Sequence, residues 1–367
     1  MVEERAYWLA WSQVPKVGSI LLQRLYQHFG SLQAAWLASE SELRAVEGFG
    51  AKTLSIILTK RHTLNPEQLL TQHLVKNPHF WTPADPDYPY LLREIPTPPA
   101  LLYYRGQPNH QENQGITPMV GIVGTRYPTE HGRRWTRKIS NTLAKHGFTI
   151  VSGMAAGIDT EAHQGCLEAG GRTIAVLGTG VDIIYPASNR NLYNQIQNQG
   201  LILSEYVAGT KPNAKNFPPR NRIIAGLCRA VLVMEAPQRS GALITARYAN
   251  EFGRDIYVLP NSPDREEYRG CLKLLNRGAF GIEGEAELLE MLGTIPQLDV
   301  VVEPQQPIPE LELNLAKVLS TIATEAMPFD LIVQAVEMDS STVSAALLEL
   351  ELMGLISQLP GMRYRRN

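Results

Sequence analysis

The chain has 367 residues, 44% hydrophobic and 19% charged, with a formal net charge of −2. That balance excludes long disorder and gives no whole-protein reason for a polyanionic partner, while the length calls for two or three domains. No run of about 18 or more apolar residues occurs, and MVEERAYWLAW lacks the layout of a signal peptide, so a cytoplasmic protein without a membrane partner is expected.

Residues 1–75 read as an all-α helix-hairpin-helix (SAM-like) module. VPKVGSILLQRLYQHFGS and AVEGFGAKTLSIILTKR resemble each other, each with Val, then Gly, then a helix. Gly48 and Gly50 allow the sharp turn that would aim N–H groups at a phosphate; the first copy has Lys16 where the second has Gly48. The alternative is a helical packing or protein-contact domain. Residues 76–118 are a proline-rich lead-in to the core with one short strand at ALLYYRG.

From 119 to 293 the rhythm changes. MVGIVGT, FTIVSG, TIAVLG, LILSEY, AVLVMEA and DIYVLP are short β-branched runs separated by amphipathic stretches such as GRRWTRKISNTLAKHG. Buried strands alternating with helices predict an α/β domain, a Rossmann-like, doubly wound, mostly parallel sheet. Residues 294–310 carry four prolines and read as a linker, and 311–367 as a winged helix: three helices, the third opened by a Ser-Ser-Thr cap, then a hairpin. Its third helix carries Glu349 and Glu351, which suits protein contact better than duplex reading assisted by Arg363, Arg365 and Arg366. Cys166, Cys228 and Cys271 form no Cys-x-x-Cys pair and read as buried small residues.

Ligands of such sheets sit beyond the carboxyl ends of the strands. The turns there hold Gly124-Thr125-Arg126, then Ser152-Gly153 leading to Gly157, then Gly178-Thr179-Gly180, and Ser240-Gly241. Glycine, hydroxyls and helix-start N–H groups suit anions. The long basic loop from Gly209 to Arg222 adds Lys211, Lys215, Arg220 and Arg222. Between 211 and 247 seven basic residues face one acid, Glu235. In FPPRNRIIAG, Phe217 can stack on a base while Arg220 and Arg222 grip the backbone on either side. The competing reading makes Phe217 a core plug and pairs the arginines with Glu205 or Glu235. No dinucleotide fingerprint or Gly-x-x-x-x-Gly-Lys-Ser/Thr occurs, so no cofactor is expected. Asp159 and His163, four apart, are read as a satisfied helix contact, and Ser152 and Ser240 lie outside Gly-x-Ser-x-Gly.

In order and spacing, IVGTR, IVSGMAAGIDTEAH, TIAVLGTGVDIIYP, LILSEY, FPPRNRIIAGL and SGALITARYANEFGRDIYVLP resemble the DNA-processing protein A (DprA/Smf) family, densely from 88 to 280. The resemblance implies a non-catalytic single-stranded DNA-binding protein that protects incoming DNA and helps load the RecA recombinase during natural transformation. It implies a homodimer through the Rossmann domain. The family's basic pocket then falls on Arg126, Ser152, Gly153, Lys211 or Lys215, Phe217, Arg220, Asn221 and Arg222. Two departures stand out. Pro260-Asn261 replaces the family's Pro-Gly, and Gly270-Cys271-Leu272 loses the Asn of its Gly-x-Asn. The rival readings are a nucleotide phosphoribohydrolase, whose Pro-Gly-Gly-x-Gly-Thr is replaced here by Arg239-Ser240-Gly241-Ala242-Leu243-Ile244-Thr245, and a winged-helix transcription regulator.

Overall fold

The computed structural model describes residues 4–293 and, beyond them, 313–322, 327–336, 338–352, 355–359 and 362–366. The linker expected at 294–310 lies outside the described residues. The chain divides into two compact units, Met1–Asp299 and Val300–Asn367.

The first unit is built on a nine-stranded sheet. Its strands are β1 (Phe80–Trp81), β2 (Leu102–Gly106), β3 (Met119–Val123), β4 (Thr149–Ser152), β5 (Thr173–Leu177), β6 (Leu201–Ser204), β7 (Ala230–Val233), β8 (Asp255–Val258) and β9 (Phe280–Gly281). They lie in the order β1-β2-β6-β5-β4-β3-β7-β8-β9. From β6 to β9 every pairing is parallel, while β2 runs antiparallel to both of its neighbours. β3 to β7 are buried at every position, as strands covered on both faces must be.

Along β5 and β6, alternation sends neighbouring side chains into two different cores. Ile174, Val176, Leu201 and Leu203 join one core with Ile139, Ile158, Ile223 and Ala246 from the crossover helices. Their neighbours Ala175, Leu177 and Ile202 point the other way, into a second core with Leu192 and Ile196. That second core also holds Trp8, Trp11, Leu22, Leu25, Leu54 and Ile57. The six short N-terminal helices between Glu4 and Leu74 therefore share a core with the sheet, joined to β1 and β2 where His73 contacts Phe80 and Tyr103.

Their internal repeat is real in three dimensions. Val14, Val17, Leu22 and Leu25 of the first copy and Val46, Phe49, Leu54 and Ile57 of the second are all buried. Lys16 adopts φ 70°, the left-handed conformation that Gly48 takes at φ 96°. The second turn is exposed but packs against the first copy's helix: Arg24 donates to the Glu47 carbonyl (3.0 Å), and a Cβ on Gly48 would lie 2.8 Å from Leu21.

The second unit has helices Leu313–Thr321, Phe329–Val336 and Ser340–Leu352, with strands β10 (Met327–Pro328), β11 (Ile356–Leu359) and β12 (Arg363–Arg366) in the antiparallel order β10-β12-β11. This is the winged-helix arrangement, with its own core of Leu315, Val318, Ile332, Val336, Val343, Leu347, Leu350 and Ile356. The cap of its third helix is Asp339. The expected Ser-Ser-Thr cap instead donates to that carboxylate, from the N–H and hydroxyl of Ser341 and Thr342. Among the described residues no single helix is long and apolar enough to cross a membrane.

Candidate nucleic-acid interface

After β3 the chain runs through β4, β5 and β6 on one side, then crosses back to lay β7 against the other edge of β3. Such a reversal opens a crevice at the strands' carboxyl ends. A cleft of about 570 Å³ lies there. Its walls come from Gly124 to Tyr127 after β3, Ala155 and Asp159 after β4, Tyr185 after β5, and Pro237 to Thr245 after β7, with Phe217, Arg220, Asn221 and Ile224 across from them. A side pocket of about 190 Å³ shares Arg126, Tyr127, Tyr185, Phe217 and Arg220, and adds Gly153.

The string expected to end a loop starts a helix, Phe217–Leu227. Pro218 and Pro219 fill its first turn, where no N–H is needed and the proline φ already fits. Residues two apart on a helix diverge, so Arg220 and Arg222 cannot grip one ligand from either side.

Arg220 turns toward the sheet and is buried. Its Nη1 donates to Gly153 O (2.7 Å) and to Val176 O, and its Nε to Asn221 Oδ1 (3.2 Å). Asn221 in turn donates to Gly241 O (3.2 Å), tying the helix to the turn after β7. Among the described residues Arg220 makes no ion pair within contact distance, and its Nη2 bonds to no protein atom. Burial, with Arg126 nearby, pulls its pKa down to about 10, against the attraction of Asp159.

Arg222 faces the other way and is a correction. It forms a two-pronged ion pair with Glu205 (2.8 and 2.7 Å) and donates to Thr97 O of the lead-in (3.0 Å). Burial opposes its charge, but the Glu205 carboxylate outweighs that and raises its pKa. It lies outside the cleft lining, and four of its five N–H donors are already bonded within the protein. The pairing considered for both arginines holds for Arg222 alone.

The glycine turns serve the protein's own side chains first. A Cβ on Gly153 would lie 2.5 Å from Arg220, and one on Gly157 2.5 Å from the Thr125 carbonyl. The N–H groups of Gly153 (3.1 Å) and Ala155 (3.3 Å) are taken by the Asp159 carboxylate. Burial raises the Asp159 pKa, against the pull of Arg220 and of those N–H bonds. Ser152 is buried, donating to Ile122 O (2.6 Å). Ser152 and Gly157 thus shape the floor without lining the cleft. His163 bonds Thr173 (2.7 Å), and burial, then Arg220, drives its pKa down to about 3, so it stays neutral and is no partner of Asp159.

The cleft mouth is aromatic and cationic. The Phe217 ring covers Gly178 and stands 5.6 Å from Tyr185, centroid to centroid, with the Arg126 guanidinium 5.7 Å from its own centroid. Arg126 and Arg239 are exposed and unpaired among the described residues, as are Lys211 and Lys215 on the adjoining loop. Of that loop, Pro212 and Ala214 line the cleft and the lysines stand outside the lining. Ser240 accepts from Ala242 N–H (3.2 Å) at the start of helix Ala242–Glu251. Tyr127 (88% exposed), Tyr185 and Arg239 line the cleft without having been singled out from sequence. The signal was adjacency: Tyr127 follows Gly-Thr-Arg, and Arg239 precedes Ser-Gly. Two residues before the lost Asn, Gly270 is packed against the Ala236 carbonyl, its N–H donating at 2.8 Å, behind the turn after β7.

Comparison with known proteins agrees with this architecture. Residues 79–293 match the family model of DNA recombination-mediator protein A, and residues 302–362 match the DprA winged helix domain. Protein Smf of Synechocystis sp. is 56% identical over 99% of both chains, and DNA processing protein DprA of Streptococcus pneumoniae is 44% identical over 57% of this chain and 72% of its own. The solved Streptococcus pneumoniae DNA processing protein A superposes with a TM-score of 0.68 at 33% identity, covering 79% of this chain and 98% of that one. The Helicobacter pylori DNA processing protein A, known for a single-stranded DNA binding mode, gives 0.52 at 30% identity over 59% of this chain and 95% of its own. With its Rossmann-like core and its winged helix both matched, this chain belongs to the DNA recombination-mediator protein A (DprA/Smf) family.

Proposed function

We propose that the cleft binds single-stranded DNA without catalysing a reaction on it. The observation that carries this reading is Arg220: a buried guanidinium, free of any contacting carboxylate, whose unbonded Nη2 belongs to a cleft lined also by Arg126 and Arg239. A buried cation that no carboxylate contacts, attracted by Asp159 only from a distance, costs stability, and an anion entering the cleft lowers that cost. Phe217, Tyr185 and Tyr127 add π-faces that accept any base, and duplex DNA keeps its bases stacked and out of reach. Asp159, the one carboxylate in the lining, is spent on backbone N–H groups. That supports holding over cutting.

Family membership supports the wider role. The protein protects incoming DNA in the cytoplasm and helps load RecA recombinase during natural transformation, working as a homodimer through its sheet domain. Lys211 or Lys215, on the exposed loop, follows the strand as it leaves the cleft.

The test uses the exposed arginines, because an Arg220/Arg222 double change would break the buried Arg222–Glu205 ion pair. Wild type and R126A/R239A are titrated with an oligonucleotide across a salt series. Each lost phosphate contact lowers the salt slope by about 0.7 on single strands, so the double variant should lose about 1.4. An unchanged slope and affinity would remove the cleft from the binding site.

A further inference from the structure

Glu235, just beyond β7, is fully buried, and among the described residues no cation pairs with it. Its carboxylate accepts from the N–H (3.0 Å) and the hydroxyl (2.7 Å) of Thr129, the cap of helix Glu130–Lys145. The positive end of that 16-residue helix is its counter-charge. Its backbone carbonyl accepts from Thr125 N–H at 2.7 Å. One residue therefore fastens both ends of the stretch Thr125–Thr129, and Arg126 and Tyr127 project from between the two fastenings into the cleft.

The surroundings are fitted to it. A Cβ on Gly132 would fall 2.2 Å from the carboxylate, so the helix opens a space at that point. Behind it the buried Tyr268 hydroxyl reaches both Thr129 (3.4 Å) and Glu235. No phosphate can use this helix start, because Glu235 already fills it.

We infer that Glu235 is a positioning residue of the DNA site, clamping the 125–129 loop so that Arg126 is held over Phe217 at the cleft mouth. The inference rests on the single-strand reading above. A loop of this length left free would have to be ordered again at each binding event, and pre-organisation removes that cost.

The test is a double-mutant cycle on the full chain, reading oligonucleotide affinity by anisotropy and folding by thermal melt. Gln keeps an acceptor for both Thr129 donors, so E235Q should bind within about twofold of wild type, whereas E235A should weaken binding about tenfold. R126A should cost about as much, and E235A/R126A no more than the worse single change, because one acts through the other. If E235A does not fold, T129V, which loses the hydroxyl bond and keeps the N–H bond, should weaken binding about threefold and be equally non-additive with R126A. Multiplicative losses in the cycle, or a lowered melt with unchanged affinity, would overturn the positioning role. Equal tightening by E235Q and E235A would overturn it too, since Glu235 would then act only as a negative charge. R126A binding like wild type would sink the cleft reading itself, and the inference with it.

Discussion

Arg220 and Arg222 leave one helix turn about 200° apart, since each residue advances the helix about 100°. In the sequence they read as a matched pair, because the two prolines before them suggested loop and a loop would let both point one way. Proline is equally at home in the first helical turn, and no local signal separates those cases. Their burial follows from the helix. Arg222, 10% exposed at its side chain, faces Glu205 at 18%. Replacing it with Ala leaves that carboxylate partly buried and unpaired, a change that costs about 3–5 kcal/mol for a fully buried pair and somewhat less here. R222A should therefore show a clearly lowered urea midpoint with a salt slope for DNA equal to wild type. A lost slope with an unchanged midpoint would return Arg222 to the DNA site.

At the scale of elements, the five strands from β3 to β7 were legible because burial on both faces demands unbroken apolar, β-branched runs, and the turns after them because glycine marks a change of direction. β1 and β9 have two residues each, too short for any periodicity to announce. The three helices of the winged unit were legible too, but their caps were not, because Asp339-Ser340-Ser341-Thr342 offers four capping residues in a row. The structure chooses Asp339, and its bonds to Ser341 and Thr342 hold that carboxyl well below the usual range. The sign follows. A depressed folded-state pKa gives stability that is present above the ordinary Asp value of about 4 and is lost as pH falls through the folded-state value. Hydrogen exchange of the Ser340–Leu352 amides, compared at equal pH, should show wild type losing protection on acidification while D339N, a neutral cap, changes little. Parallel loss in both would mean that the cap does not titrate.

Across the whole molecule, hydrophobic pattern marks which residues are buried but not against what, and the sequence therefore suggested a helical module standing apart from the sheet. Structurally the two share a core: Trp8, Trp11, Leu54 and Ile57 belong to one buried cluster with Leu177, Val181 and Ile202, and His73 contacts Phe80 of β1 and Tyr103 of β2. The winged unit has a core of its own. These facts separate two truncations. A chain ending at Asp299 keeps the sheet, its cover and every residue of the cleft, so it should melt cooperatively and bind oligonucleotides like the full chain. A chain beginning at residue 76 strips Arg5 and His73 from Phe80 and Tyr103 and opens the core that the helices share with the sheet. At about 1.5–3 kcal/mol for each large apolar side chain exposed, a few such residues consume much of the 5–15 kcal/mol that holds a typical domain folded. It should be recovered aggregated or unfold without cooperativity, although it retains every cleft residue. Full affinity from that fragment would show that the helical module is an appendage and that the shared core does not support the site.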